Sequence, residues 1–209
     1  MVIAKNLKED IIRQLETQAL VHIPASEEDY LSIAYALPFK VEYHENEIIT
    51  MGLASYWHEK LAARFIILLN QIFEQIEGDF DILGSNLGVQ IPKFEGGYYM
   101  PDVVVVKGEP AFKPNSTAII TNPYIVIEVL SPATNKFDIE NKLPEYKHLE
   151  SLQQIIYVSP KKVFVSTYIR SENPNIWLNQ DFHSLEDTII VENLSVSLSD
   201  IYSKIKFEK

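Results

Sequence analysis

The sequence predicts an α/β fold, a mixed central β-sheet flanked by helices, and three observations predict it. Residues 55–76 place Trp57, Leu61, Phe65, Leu68, Leu69, Ile72, Phe73 and Ile76 at helical spacing. That is one wide apolar stripe, and such a stripe has to lie across a sheet. Residues 103–106 are four consecutive valines, and residues 124–130 read YIVIEVL. Continuous β-branched runs of this kind form strands buried on both faces. Residues 153–158 and 162–169 add two further β-rich runs, joined at Ser159-Pro160-Lys161, a turn signal.

Residues 5–20 carry Leu7, Ile11, Ile12, Leu15 and Leu20 close to a 3.6 period, the mark of an amphipathic helix that covers the core or a partner subunit. Ser26 is the expected N-cap of a second helix, with Glu27, Glu28 and Asp29 in its first turn, Tyr30, Ile33, Ala34 and Leu37 behind them, and Pro38 as its stop. Residues 39–50 hold two β-rich runs around His44-Glu45-Asn46, a hairpin with Glu42, His44, Glu45 and Glu47 on its polar face. The long helix ends at Gly78-Asp79. Short strands are expected at 80–83 and 87–92 around Gly84-Ser85-Asn86, followed by a turn at Glu95-Gly96-Gly97. Pro101 cannot donate to a β-ladder, so Asp102 is expected where the sheet opens to solvent.

Residues 107–116 read as a loop, and Ile119-Ile120 as a strand fragment. Ser131-Pro132 ends the run that contains Glu128. Residues 135–149 read as a helix that Pro144 either kinks or begins, with Lys142 at its first regular turn. The tail, through Ile176-Trp177-Leu178, Thr188-Ile189-Ile190 and 196–205, predicts small strands and a closing helical turn. At 209 residues a single domain, 1–209, is expected. Its parts are an N-terminal helical extension (1–38), a core (39–170) and C-terminal small strands (171–209).

With 46% hydrophobic and 22% charged residues and only seven glycines, the chain is an ordinary globular sequence. No segment approaches the roughly 20 apolar residues of a membrane span. The N-terminus is too charged for a signal peptide. The absence of cysteine excludes disulfides and thiolate metal sites. A cytoplasmic location is expected. The net charge of −11 counts against a strong electrostatic grip on duplex phosphates. Against it stands one modest basic cluster, Lys136, Lys142, Lys147, His148, Lys161 and Lys162.

The chemistry lies between residues 100 and 142. A glutamate inside an apolar strand is costly unless it is paired or bound to a cation, and Glu128 is such a residue. Asp102 heads the neighbouring apolar run, and Lys142 follows downstream. Two carboxylates can hold a hard cation, Mg²⁺ or alternatively Mn²⁺, and an ammonium can steady an attacking water or the charge that builds on phosphorus. The catalytic candidates are therefore Asp102, Glu128 and Lys142, and the metal candidates are Asp102 and Glu128. Glu42, Glu47 and Glu59 are further carboxylates whose ordinary role is a solvated surface.

The succession VEYHENEIITMGLASYWHEKL, MPDVVVV, PYIVIEVLSPATNKFDIENKLPEY and IIYVSP resembles the Uma-two family of restriction-endonuclease-like proteins. That family is common in cyanobacteria and is placed in the PD-(D/E)XK nuclease superfamily, and the likeness covers roughly residues 26–170. The resemblance implies a restriction-endonuclease-like core with a helix on a mixed sheet, a central hairpin carrying the acidic residues and a second helix behind it. Asp102 matches the PD aspartate and Glu128 the acidic residue of the (D/E)XK element. Leu130 stands where that element has its lysine, and Lys142 falls where this family carries the migrated lysine. His58 and Tyr146 also resemble recurrent positions.

The implied activity is Mg²⁺-dependent endonucleolytic hydrolysis of DNA, with Asp102, Glu128 and the carbonyl of Val129 around one metal ion. A homodimer is expected, with the N-terminal helix as candidate interface. Two alternatives stand beside it. One is an inactive nuclease scaffold serving binding or oligomerisation, in which Glu128 and Lys142 form a plain salt bridge. The other is a metal-dependent hydrolase of a small phosphorylated substrate.

Overall fold

In a computed structural model, residues 2–34, 37, 40–91 and 97–207 are described, with side chains from Leu7 onward. The helix stop expected at Pro38, the strand start at Phe39 and the turn at Glu95-Gly96 lie outside the described residues. The chain begins with α1 (Val2–Leu15), β1 (Leu20–Pro24) and α2 (Glu27–Ala34), followed by β2 (Val41–His44), β3 (Glu47–Met51) and α3 (Tyr56–Phe73). Next come β4 (Phe80–Gly84), β5 (Gly88–Ile91), β6 (Gly97–Tyr99), β7 (Val103–Lys107), β8 (Ile119–Ile120) and β9 (Ile125–Val129). A broken helical segment then runs through α4 (Asn135–Phe137), a π turn (Asp138–Lys142) and α5 (Leu143–Tyr146). The chain closes with β10 (Gln154–Val158), β11 (Val165–Arg170), β12 (Trp177–Phe182), β13 (Thr188–Val191), β14 (Leu194–Ser197) and α6 (Leu198–Ile201).

The fold is α/β with a central mixed sheet flanked by helices. That sheet has the order β12-β11-β10-β9-β7-β4; only β9 and β10 run parallel in it, and β7 lies antiparallel to β9. A second six-stranded sheet, β1-β3-β2-β6-β5-β8, was not expected from the sequence. It collects short strands from distant parts of the chain, so no single run announces it. Leu20 is a correction of the same kind. It continues the helical phase of residues 5–15, but the helix stops at Leu15 and Leu20 pairs with Met51 in a strand.

The two faces of the central sheet take different partners, because strand side chains alternate. Val103, Val105, Ile125, Ile127, Ile156 and Val158 meet Leu61, Phe65, Leu69 and Phe73 of α3, which is capped by the Ser55 hydroxyl accepting the His58 N–H. Val104, Val106, Val126, Ile155 and Tyr157 meet Phe137, Leu143 and Tyr146 and the inner side of the second sheet, including Ile49, Val89 and Tyr99. Ile11, Tyr30 and Ile33 of the N-terminal helices cover that sheet's outer side over Val41, Tyr43, Ile48 and Tyr98. Both faces of the second sheet are therefore buried, and β2 is buried at all its positions. Glu42 and His44, read as a solvated hairpin face, lie inside the molecule.

Residues 135–149 also depart from the continuous helix of the sequence reading. Pro144 has no N–H, and its ring would press on the carbonyl four residues back in a regular helix. The chain inserts a π turn before it, in which the Leu143 N–H bonds the Asp138 carbonyl, and restarts with Pro144 in the first turn of α5. Wide turns of this type recur at functional sites. The acidic strands do not form a local hairpin either. β7 and β9 are neighbours, but between them the chain visits the second sheet as β8.

Phe65→Ala should cost about 3–5 kcal/mol in urea unfolding, since the ring is fully enclosed between α3 and the central sheet. Leu53→Ala, at a position 98% exposed, should stay within about 0.5 kcal/mol. Equal effects of the two substitutions would contradict the layer assignment.

Candidate active site

The register of the central strands brings Asp102 and Glu128 to one place. Val103 pairs with Ile127 and Val104 with Val126, so one further step sets Asp102 opposite Glu128, on the face that carries Val104 and Val126. Pro101 leaves the strand without a donor at this point. The Asp102 side chain accepts the Val129 N–H at 2.8 Å through Oδ2, which ties the two strand ends together. Asp102 is buried, where the sequence suggested an opening to solvent. Glu128 is 2% exposed.

Three further segments deliver polar groups to these carboxylates. Lys40, just before β2, places Nζ 2.7 Å from Asp102 Oδ1, and His58, in the first turn of α3, places Nε2 3.2 Å from Oδ2. Lys142, the last residue of the π turn, reaches Glu128 Oε1 at 3.2 Å, Glu42 Oε1 at 2.9 Å and Asp138 Oδ1 at 3.0 Å. The hydroxyl of Tyr146 donates to Glu128 Oε1 at 2.8 Å. Glu42 Oε1 also accepts the Met100 N–H at 2.7 Å, while its Oε2 is buried with no hydrogen-bond partner. The cluster therefore joins both sheets and the helical segment. Behind it, His44, Tyr99 and Glu145 form a second buried network. The Tyr99 hydroxyl lies 2.7 Å from His44 Nδ1 and donates to Glu145 at 2.5 Å, and its ring faces the Lys142 ammonium.

Thus Lys142 joins Glu128 directly, and Asp102 sits beside them, linked through the Val129 peptide. Lys142 belongs to the buried cluster, so it is removed from the basic surface patch. Glu47 pairs with half-exposed His22 at the edge of the second sheet, and Glu59 is exposed beside His58. Sequence reasoning missed Lys40, Asp138 and the burial of Glu42. The acidic spacing Asp138 to Lys142 was the one available signal, and it needs a helical segment to be read as a contact.

Four carboxyl groups, Glu42, Asp102, Glu128 and Asp138, surround two ammonium groups, Lys40 and Lys142. Burial disfavours the charge on Asp102, but Lys40 and His58 outweigh it and hold the carboxyl well below the usual range. Burial drives Glu128 the other way, up to about 8; Lys142 opposes that rise and the charges of Asp138 and Asp102 add to it. Burial lowers Lys142, yet the carboxylates of Asp138, Glu128 and Glu42 more than reverse this, so the ammonium keeps its proton far above neutrality. His58 is likewise lowered by burial and raised on balance by Asp102. In formal charge the cluster comes to balance either by protons on Glu128 and His58 or by one divalent cation.

Whether the residues fit such a cation can be judged from the donors. Among the described residues no group of three or more His, Asp or Glu side chains is spaced as a ready-made metal site. The donor set nevertheless fits a hard cation: carboxylate oxygens only, an excess of negative charge and the unpartnered buried Oε2 of Glu42. The positions beside Asp102 and Glu128 are held by Lys40 and Lys142.

The neutral form of Glu128 is the one the fold favours, because its carboxyl is raised to about 8 from 4.5. The stability this confers is complete below pH 4.5 and is lost as pH rises through about 8. In chelator, Glu128→Gln should therefore gain stability relative to the parent protein as pH goes from 5 to 9, measured by urea unfolding at each pH. A constant difference over that range would contradict the burial-driven shift.

Comparison with known proteins places the fold and the lineage. A solved structure described as a putative nuclease belonging to DUF820, from Anabaena variabilis, superposes with a TM-score of 0.66 at 20% identity, covering 86% of this chain and 98% of that one. An uncharacterized protein of Synechocystis sp. is 30% identical over 174 residues, spanning 83% of this chain and 88% of its own length. A second uncharacterized Synechocystis protein is 32% identical over 130 residues, 62% of this chain and 72% of its own. No helix among the described residues is long and apolar enough to cross a membrane. The model of the Uma2 family, described as "Putative restriction endonuclease", matches residues 27–200, and the chain belongs to that family.

Proposed function

We propose that this chain is a Mg²⁺-dependent endonuclease, able to use Mn²⁺, that hydrolyses phosphodiester bonds in DNA. One observation carries the reading: a buried glutamate and a buried aspartate share one face at the ends of adjacent strands, with a lysine ammonium 3.2 Å from the glutamate. The descriptions of the matched family, "Putative restriction endonuclease", and of the Anabaena protein, "a putative nuclease", support it. Asp102 and Glu128 would hold the ion, with Glu42 able to join through its unpartnered oxygen. Bound there, the ion would supply Lewis acidity toward a phosphoryl oxygen and would lower the pKa of a water.

The roles of the protein groups follow from their protonation. Lys142 keeps its proton, so it is not a general base; it stabilises negative charge that develops on the phosphoryl group. Tyr146 keeps its proton as well and orients the Glu128 carboxylate. His58 carries a proton on Nε2 toward Asp102 and fixes that carboxylate. Lys40 holds Asp102 Oδ1 at 2.7 Å and, with 18% of its side chain exposed, is the paired lysine nearer to solvent; a cation bound at Asp102 would compete with it.

The pairing of Asp102 with Lys40 and of Glu128 with Lys142 favours a second reading, a scaffold neutralised by its own lysines and needing no metal. Plasmid nicking with Mg²⁺ or Mn²⁺ separates the two. Asp102→Ala and Lys142→Met should each reduce nicking by about a hundredfold or more while the fold is retained. Undiminished nicking by either variant would overturn the assignment, and no nicking by the parent protein would favour the scaffold.

A further inference from the structure

A cavity of about 550 Å³ lies next to this cluster and is used by none of the chemistry above. It opens beyond the carboxyl ends of the parallel pair β9 and β10, the place where open α/β sheets bind ligands. Leu130 lines it and packs on the same side of the sheet as Val126 and Tyr157, the side that carries Glu128. Two residues along a strand span about 6.7 Å, so the cavity begins one short step from the candidate reaction centre.

Its lining is largely apolar and aromatic, with Phe164 and Tyr168 on the same face of the sheet as Leu130 and Tyr157 and a few serines and Asn135 between them. The Tyr157 hydroxyl is spent on the Asp138 carbonyl, so this ring offers the cavity its apolar body. At the rim stand two exposed ammonium groups, Lys161 and Lys162, and one carboxylate, Asp181. The Lys162 Nζ sits 5.4 Å from the Phe164 ring. A flat apolar body joined to a negative charge suits this combination, and the volume is in the range that takes one such group.

We propose that the cavity holds one unpaired nucleotide of a DNA strand whose adjoining phosphate lies at the Asp102–Glu128 cluster, with the base against Tyr168 and the next phosphate at Lys161 and Lys162. The proposal rests on the endonuclease reading and adds the substrate class, single-stranded DNA. It also accounts for the acidic chain. Stacking on aromatic rings gives affinity without the broad basic face that duplex binding needs.

The test is fluorescence anisotropy in EDTA with a short single-stranded DNA oligonucleotide and with the same sequence as duplex, so that binding is read without cleavage. Single strand should bind more tightly than duplex, and Tyr168→Ala should weaken single-strand binding about tenfold while leaving duplex binding unchanged. The surface variant Lys161→Glu/Lys162→Glu, which leaves the core intact, should weaken single-strand binding to a similar degree. Absence of single-strand binding, duplex binding of equal strength, or variants that bind like the parent would each overturn the proposal, even if the parent protein nicks plasmid with metal. Conversely, the expected binding pattern with no metal-dependent cleavage of the single strand or of plasmid would retain the cavity assignment and sink the endonuclease reading.

Discussion

A lysine ammonium enclosed by three carboxylates holds the centre of this molecule together. Lys142 contacts Glu42 from the second sheet, Glu128 from the central sheet and Asp138 from its own π turn. Removing charges from water costs several kcal/mol per ion, and only close pairing with further hydrogen bonds offsets it. Here the Met100 N–H and the Tyr146 hydroxyl provide those bonds. The cluster therefore constrains where the two sheets meet, and it explains the wide helical turn. A regular helix through residues 138–142 would meet the ring of Pro144, whereas the π turn accommodates it and keeps Asp138 and Lys142 in contact.

The same electrostatics leave the site poised. Four carboxyl groups face two ammonium groups, so the cluster holds room for more positive charge. Protons on Glu128 and His58 can supply it, and so can one divalent ion. Lys40 and His58 keep Asp102 ionised, while burial inclines Glu128 to hold a proton. Two carboxyl groups with environments that push them apart is a recurrent arrangement in acid–base and metal chemistry.

Much of the central sheet is legible in the sequence, because its strands are unbroken apolar runs and its helix is a long single-faced stripe. Glu128 is legible for the same reason, as a charge in a run that otherwise has none, and Asp102 as the polar end of the valine strand. The second sheet is not. Its strands are short and come from distant segments, and residues 41–44 alternate polar and apolar as a half-exposed hairpin does. The N-terminal helices cover Val41 and Tyr43 on its outer side, while Glu42 and His44 point to the inner side and are enclosed by Lys142, Met100, Tyr99 and Glu145. Lys40 offers no local signal at all, since its meaning depends on Asp102, 62 residues later. The π turn is half legible: Pro144 announces a disturbance, but nothing in the sequence says that the helix widens instead of ending.

The central proposal is that Asp102 and the glutamate buried in β9 can share one divalent ion. The most direct measurement is anomalous scattering from crystals soaked in Mn²⁺. A single peak within coordination distance of both Asp102 and Glu128, with Lys40 displaced from Asp102, is the predicted result. Density that leaves both carboxylates paired with their lysines, at saturating Mn²⁺, would contradict it.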